Sequence, residues 1–434
     1  MPGTDSTAAI EAVYRVEFPR VVAVLAAFTG DIGLAEELAQ DALVDAVRQW
    51  PRDGTPHNPG AWLTAVGKRK AIDAFRRNRT LAAKYARIGR ELEVHSALGD
   101  GDEDDAAFGA ESSEEIDDDR VRLIFVACHP VLAMPARVAL TLRLVGGLTV
   151  SEIARAYVVP EATIAQRIVR AKKAIARAGV PFEVPEGEDR LSRLGAVLEV
   201  IYLIFNEGYS ATAGEDWVRP ELCSEALRLG RVLAALVPDE PEVHGLVALM
   251  ELQSSRLRAR TDPNGAPVLL LDQDRRRWDR LHIRRGEAAL ARADELVATR
   301  GPYSLQAAIA ACHTRTFRPE ETDWDELVAL YTALARATPS PIVELNRAVA
   351  VSRATGPAEA LALVDILMGT GTLERYHLVY SVRGDLLDRL GRYGEAACEF
   401  ERAAALATNG QERTLLTDRA RASRALSAAG PCTG

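Results

Sequence analysis

The chain has 434 residues, 48% of them hydrophobic, which is enough for two to four domains with sizeable cores and too apolar for disorder throughout. No apolar run approaches the roughly 20 residues a membrane span needs. The opening MPGTDSTAAIEAVYR lacks the apolar centre of an export signal, so a cytoplasmic protein is expected. Five cysteines, Cys128, Cys223, Cys312, Cys398 and Cys432, are odd in number and never form a Cys-x-x-Cys pair. That excludes an obvious disulfide framework or zinc site and favours free thiols.

A net charge of -9 would argue against nucleic acid, but the charge is segregated. His57 to Arg90 holds nine Lys or Arg against the single acid Asp73, whereas Asp100 to Asp119 holds eleven acids and no base. Fields screened over about 8 to 10 Å follow such local blocks, so a global average does not exclude local DNA binding.

In chain order, residues 8 to 90 read as helices. Leu34, Leu38, Ala42, Ala46 and Trp50, with Leu43 and Val47 beside them, predict an apolar stripe, and Glu37, Asp41 and Asp45 an acidic ridge on another face. WPRDGTPHNPG, residues 50 to 60, reads as a loop, after which Asn58 and Pro59 suit the start of the helix AWLTAVGKRKAIDAFRR. Residues 97 to 119, acidic and rich in Gly and Ser, bury too little apolar surface to order alone and read as a linker. Helical patterning resumes at DRVRLIFVACHPVL.

Residues 149 to 178 read as a helix, a tight turn and a basic second helix. Thr149 and Glu152 form a capping box, with Ile153 and Ala154 opening the buried face. Pro160 starts the second helix, Ile164 and Ile168 face inward, and Thr163, Gln166, Arg167, Arg170 and Lys173 point elsewhere. A major groove admits one such helix, and Arg, Gln and Thr reach base edges there. The plain alternative is an amphipathic hairpin with a solvated basic face. VPFEVPEGED, 180 to 189, marks a boundary, and the remainder is predominantly helical. There, Gly384, Ala396, Phe400 and Ala403 stand at tetratricopeptide-repeat spacing with Gly391 in the turn, and Ala348 and Ala360 repeat the interval 36 residues earlier. Stacked helix pairs of this kind offer a concave face to a protein partner.

No GxxxxGK[ST], HExxH or GxGxxG is present in the carboxy-terminal half, and GYSAT at 208 to 212 lacks the second glycine of a nucleophile elbow. Cys128 and His129 are adjacent and point about 100° apart on a helix, so no enzyme is expected. LDQDRRRWDR reads either as a salt-bridge network or as a ligand site.

Together these segments resemble an extracytoplasmic-function sigma factor with a carboxy-terminal extension carrying tetratricopeptide-like repeats. AEELAQDALVDAVRQW is similar to the polymerase-binding segment of sigma domain 2, AWLTAVGKRKAIDAFRR to its promoter-melting helix, and LTVSEIARAYVVPEATIAQRIVRAKKAIA to sigma domain 4. FVACHP, IYLIFNEGYSA and LLDQDRRRWDR resemble members of the extended subgroup. Val158 departs from the glycine common in such turns, and Arg69 from the Asn common in the melting helix.

The resemblance implies an all-α chain: domain 2 over 1 to 92, an acidic linker over 93 to 119, domain 4 over 120 to 182 and a helical extension over 190 to 434. It implies core RNA polymerase and promoter DNA as partners and no cofactor. Glu37, Gln40, Asp41 and Asp45 would bind polymerase; Lys68, Arg69, Arg76 and Arg77 would hold the minus-ten region; and Thr163, Gln166, Arg167, Arg170, Lys172 and Lys173 would hold the minus-thirty-five element. Trp62 reads as core packing rather than a stacking platform. The linker would mimic nucleic acid or serve as a solvated tether. The extension would regulate through a protein partner. A non-sigma regulator with the same helix-turn-helix, or an enzyme fused to a DNA-binding domain, remain alternatives; the first would bind DNA without polymerase.

Overall fold

The computed structural model describes the backbone of residues 17–90, 113–157, 159–185, 187–210, 217–263 and 266–429. Among these residues the secondary structure is helical, apart from one isolated bridge between Thr261 and Pro267. No described helix is long and apolar enough to cross a membrane. Contacts divide the chain into two compact units, residues 1–155 with 159–200, and residues 156–158 with 201–434.

The first unit begins with α1 (described over 17–29), α2 (Ile32–Asp53) and α3 (Pro59–Arg90). Gly30, at φ 69°, turns the chain out of α1, and Asp31 caps α2 by accepting from the amides of Gly33 and Leu34. Leu38, Ala42, Ala46 and Trp50 are buried as the stripe predicts, but Leu43 is half-buried and Val47 is 52% exposed. At 100° per residue Val47 falls outside the arc that Leu38, Ala42 and Ala46 define. Helix α2 also runs through Pro51 to Asp53, so the loop expected over 50 to 60 shrinks to 54–58. The Asn58 carboxamide accepts from the Ala61 amide, as a cap should.

Helix α4 (Ser113–Ala127) starts inside the stretch read as linker, because five acids in its first turns favour a helix amino terminus once Leu123 to Ala127 are buried. The remainder of that linker, 93–112, lies outside the described residues. Then come α5 (Met134–Leu144), α6 (Val150–Ala156) and α7 (Glu161–Arg177). Helix α8 (Gly187–Tyr209) carries the chain into the second unit.

In the second unit, α10 (Pro241–Ser254) is buried on nearly every face, the mark of a central helix, and is flanked by α9 (Pro220–Leu236), α11 (Arg280–Leu296) and α12 (Pro302–Thr314). Helices α13 (Trp324–Ala337), α14 (Pro341–Ala354), α15 (Pro357–Gly369), α16 (His377–Arg389), α17 (Tyr393–Leu406) and α18 (Gly410–Ala429) follow, each packed on the next. Ala348, Ala360, Ala396, Phe400 and Ala403 belong to one buried cluster, and Gly384 is buried beside it.

Gly384 is small because α16 and α17 nearly touch there: a Cβ would stand 2.8 Å from Phe400 Cε1. Gly384→Ala should therefore destabilise the extension by about 1–3 kcal/mol, as overpacking does. Gly369→Ala, which meets nothing within 4 Å, should be neutral or mildly stabilising. Urea midpoints of the two variants test this contrast.

Candidate nucleic-acid interface

Helices α6 and α7 form the reader. The Thr149 hydroxyl accepts from the Glu152 amide at 3.2 Å, and Glu152 Oε2 accepts from the Thr149 amide at 2.8 Å, closing the capping box. Ile153, Ile164, Ile168 and Ile175 are buried beneath. Pro160 proves to be the cap residue rather than the first helical one, and Val158 lies outside the described residues. At 100° per residue Thr163, Gln166, Arg167, Arg170 and Lys173 fall within an arc of about 120°. Thr163, Gln166, Arg170 and Lys173 are exposed and Arg167 is half-buried. Four of the five, Thr163, Gln166, Arg167 and Arg170, line one hollow of about 380 Å³ against Val131 to Ala136. Lys172 stands apart, nearly opposite Thr163.

On α3, Lys68, Arg69, Arg76 and Arg77 fan over about half the helix circumference. The last three are exposed, and the Lys68 ammonium lies 5.7 Å from the centre of the Phe28 ring. Arg69 and Arg77 donate back to the carbonyls of Ala65 and Asp73, at 3.4 and 3.2 Å, which steadies two cations along the helix. Trp62 packs edge-on against buried Trp50 at 5.5 Å and remains half-exposed, so one face is packed and another is open.

On α2, Glu37, Gln40 and Asp41 are exposed, together with Val44 and Val47. Asp45 is half-buried and paired with Lys70 of α3 at 2.9 Å. One helical step back from Glu37, Glu36 is only 3% exposed. Its Oε1 accepts from Arg143 Nε at 2.6 Å and Gln40 Nε2 at 2.8 Å, and its Oε2 from Lys172 Nζ at 2.9 Å. Arg143 also donates to the Leu148 carbonyl and lies over the Phe18 ring. Burial alone would raise the Glu36 pKa, but Arg143 and Lys172 together outweigh it and hold the carboxyl below its ordinary range. The triad's contribution to stability is thus present above the ordinary carboxylate pKa and is lost as pH falls through the lowered one.

Residues 13–80 match Sigma-70 region 2 and residues 122–175 match Sigma-70 region 4. Residues 193–294 match a family of unknown function, DUF6596. An uncharacterized protein, R00370, from Rhizobium meliloti (strain 1021) is 48% identical over 401 residues, which cover 91% of this chain and 91% of that protein. No solved structure matches. The chain belongs to the extracytoplasmic-function type of sigma factor.

Other parts of the sigma factor resolve as structural. Arg275 of LDQDRRRWDR is 2% exposed and donates to the carbonyls of His313 and Thr316 and to the hydroxyls of Thr316 and Thr322. Asp279 caps α11 through the amides of Leu281 and His282. The motif is a clamp between loop and helix ends, with an exposed Asp274–Arg276 pair at its rim. The Cys128 thiol faces Thr141 Oγ1 at 3.3 Å, and burial pushes its pKa up to about 11, so it is no thiolate at neutral pH. His129 turns away and accepts from the Val131 amide.

Sequence spacing did not reveal Glu36, because its partners lie 107 and 136 residues away. Only its place at the edge of the apolar stripe hinted at burial. Lys172 should accordingly react slowly with an amine acetylating reagent in the free sigma factor, while neighbouring Lys173 reacts fast. Peptide mass spectrometry after a brief pulse reads the ratio; equal modification would contradict the Glu36 pairing.

Proposed function

We propose that this sigma factor seats on the core polymerase through Glu37, Gln40 and Asp41, with Asp45 at the margin. Complementary charge on that ridge would supply orientation and on-rate more than affinity. Lys68, Arg69, Arg76 and Arg77 would then hold the backbone of the opened minus-ten region, and Trp62's open face leaves room for an unstacked base. On the reader, Arg167, Arg170 and Lys173 would take phosphates or base edges, with Thr163 and Gln166 contributing base readout. Lys172 would join them only once released from Glu36. In domain terms, residues 1–92 and 120–182 grip DNA, residues 93–119 connect them and residues 190–434 regulate. The work is placed in the cytoplasm.

The observation that carries this reading is the shared hollow of Thr163, Gln166, Arg167 and Arg170 at the exposed face of a capped, properly buried reader helix. For the extension, a hollow of about 560 Å³ with apolar walls at Trp324, Leu327 and Tyr331 supports a docked protein segment as the regulatory input, in keeping with repeat-like helix pairs.

Run-off transcription with core polymerase tests the first part: product from selected promoters is expected, and none would overturn it. Arg170→Ala should weaken promoter binding and lower the salt slope by about 0.9, the value of one phosphate contact. An unchanged slope across a salt titration would remove Arg170 from the interface. Deleting residues 190–434 should alter transcript yield, and unaltered yield would deny the extension its regulatory part.

A further inference from the structure

Glu36 joins two modules that a promoter must hold apart. Helix α2 belongs to the minus-ten module, whereas Arg143 and Lys172 belong to α5 and α7 of the reader module. With Lys172 Nζ 2.9 Å from the Glu36 carboxylate, the reader helix rests directly on α2. The nominal separation of the two promoter elements is about 25 base pairs, which at about 3.4 Å each is roughly 85 Å. Helix α7, at roughly 1.5 Å per residue, is only about 26 Å long and cannot bridge that distance while docked on α2.

We propose that Glu36 is an intramolecular latch that keeps the free sigma factor closed, and that opening on the polymerase and promoter breaks its bonds to Arg143 and Lys172. The inference rests on the promoter-binding roles proposed above. Three features fit a latch better than a permanent core. The bonds joining the modules here are ionic, so each group regains hydration when they part, which buried apolar surface would not. Glu37, Gln40, Asp41, Val44 and Val47 remain exposed on α2, so polymerase can engage the closed chain. Lys172 is the third feature: the carboxylate occupying it and the phosphate expected to take it are both oxyanions, so one replaces the other without leaving a buried charge unpaired. The latch therefore raises the threshold for free sigma factor to bind DNA and lowers non-specific capture.

The test uses the full chain and a 30-base-pair duplex of arbitrary sequence, followed by fluorescence anisotropy over a salt series. Glu36→Gln retains the side-chain shape but releases two cations. It should tighten duplex binding on the order of tenfold at low salt and steepen the salt slope by about 1.8, two phosphate contacts' worth. Glu36→Gln with Lys172→Met should give back about half of that increase in slope. Glu37→Gln, on the exposed face, should leave the slope at the wild-type value. Small-angle scattering should show a larger radius of gyration for Glu36→Gln alone.

A folded Glu36→Gln chain with wild-type affinity, slope and radius overturns the latch. If Glu36→Gln fails to fold, Lys172→Met, which keeps the Glu36–Arg143 bond, decides: a larger radius than wild type supports the latch, and an unchanged one overturns it. Wild-type run-off transcription in parallel separates the two ideas. Product without any Glu36 effect sinks only the latch; no product sinks the promoter-binding reading beneath it.

Discussion

A carboxylate buried as deeply as Glu36 stays ionised only where cations are brought to it, and here both come from a distant part of the chain. That requirement fixes the arrangement of the first unit. Arg143 reaches Glu36 because α5 is held against α7 beneath the reader, and Lys172 reaches it because the isoleucines of α7 face the other way from Thr163 and Gln166. The same helix turn that buries Glu36 leaves Glu37 in solvent. One residue step thus separates an internal anchor from a surface available to polymerase, and removing either partner of such a buried pair typically costs about 3–5 kcal/mol.

Charge is used twice in this molecule, and the overall -9 conceals both uses. On α3 and the outer face of α7, exposed cations have few acids near them and stand ready for phosphate. Elsewhere arginine holds structure together: Arg275 ties loop carbonyls of the extension, and Arg383 bridges Asp365 of α15 and Glu399 of α17. Exposure separates the two roles better than residue type does. Arg170 is open, whereas Arg275 is enclosed with its donors occupied.

Much of this was legible because it is local. The Thr149–Glu152 box, the Asn58 cap, the buried Ile164 and Ile168 and the close-packed Gly384 all depend on partners within a few turns or on a short repeat. Where spacing misled, geometry with a longer reach had intervened. Val47 sits at the end of a 22-residue helix, where a stripe counted in fours has drifted out of the buried arc. The acids before Arg120 read as solvated linker, yet α4 recruits them because Leu123 to Val126 have a core to enter. LDQDRRRWDR left two readings open, since the carbonyls that Arg275 binds lie about 40 residues on. Glu36, Lys172 and the Asp45–Lys70 pair were illegible for the same reason: opposite charges abound in the sequence, and only the fold selects which ones meet.

The central claim is that a compact free chain opens to reach both promoter elements. The most direct measurement is a pulsed dipolar distance between nitroxides at Gln49, on exposed α2, and Ala176, near the exposed end of α7. It would be taken on the free chain and again on core polymerase bound to a promoter that yields run-off product. A narrow, short distance in the free chain that lengthens by tens of ångströms in the complex is the predicted result. An identical distance in both states would contradict the account.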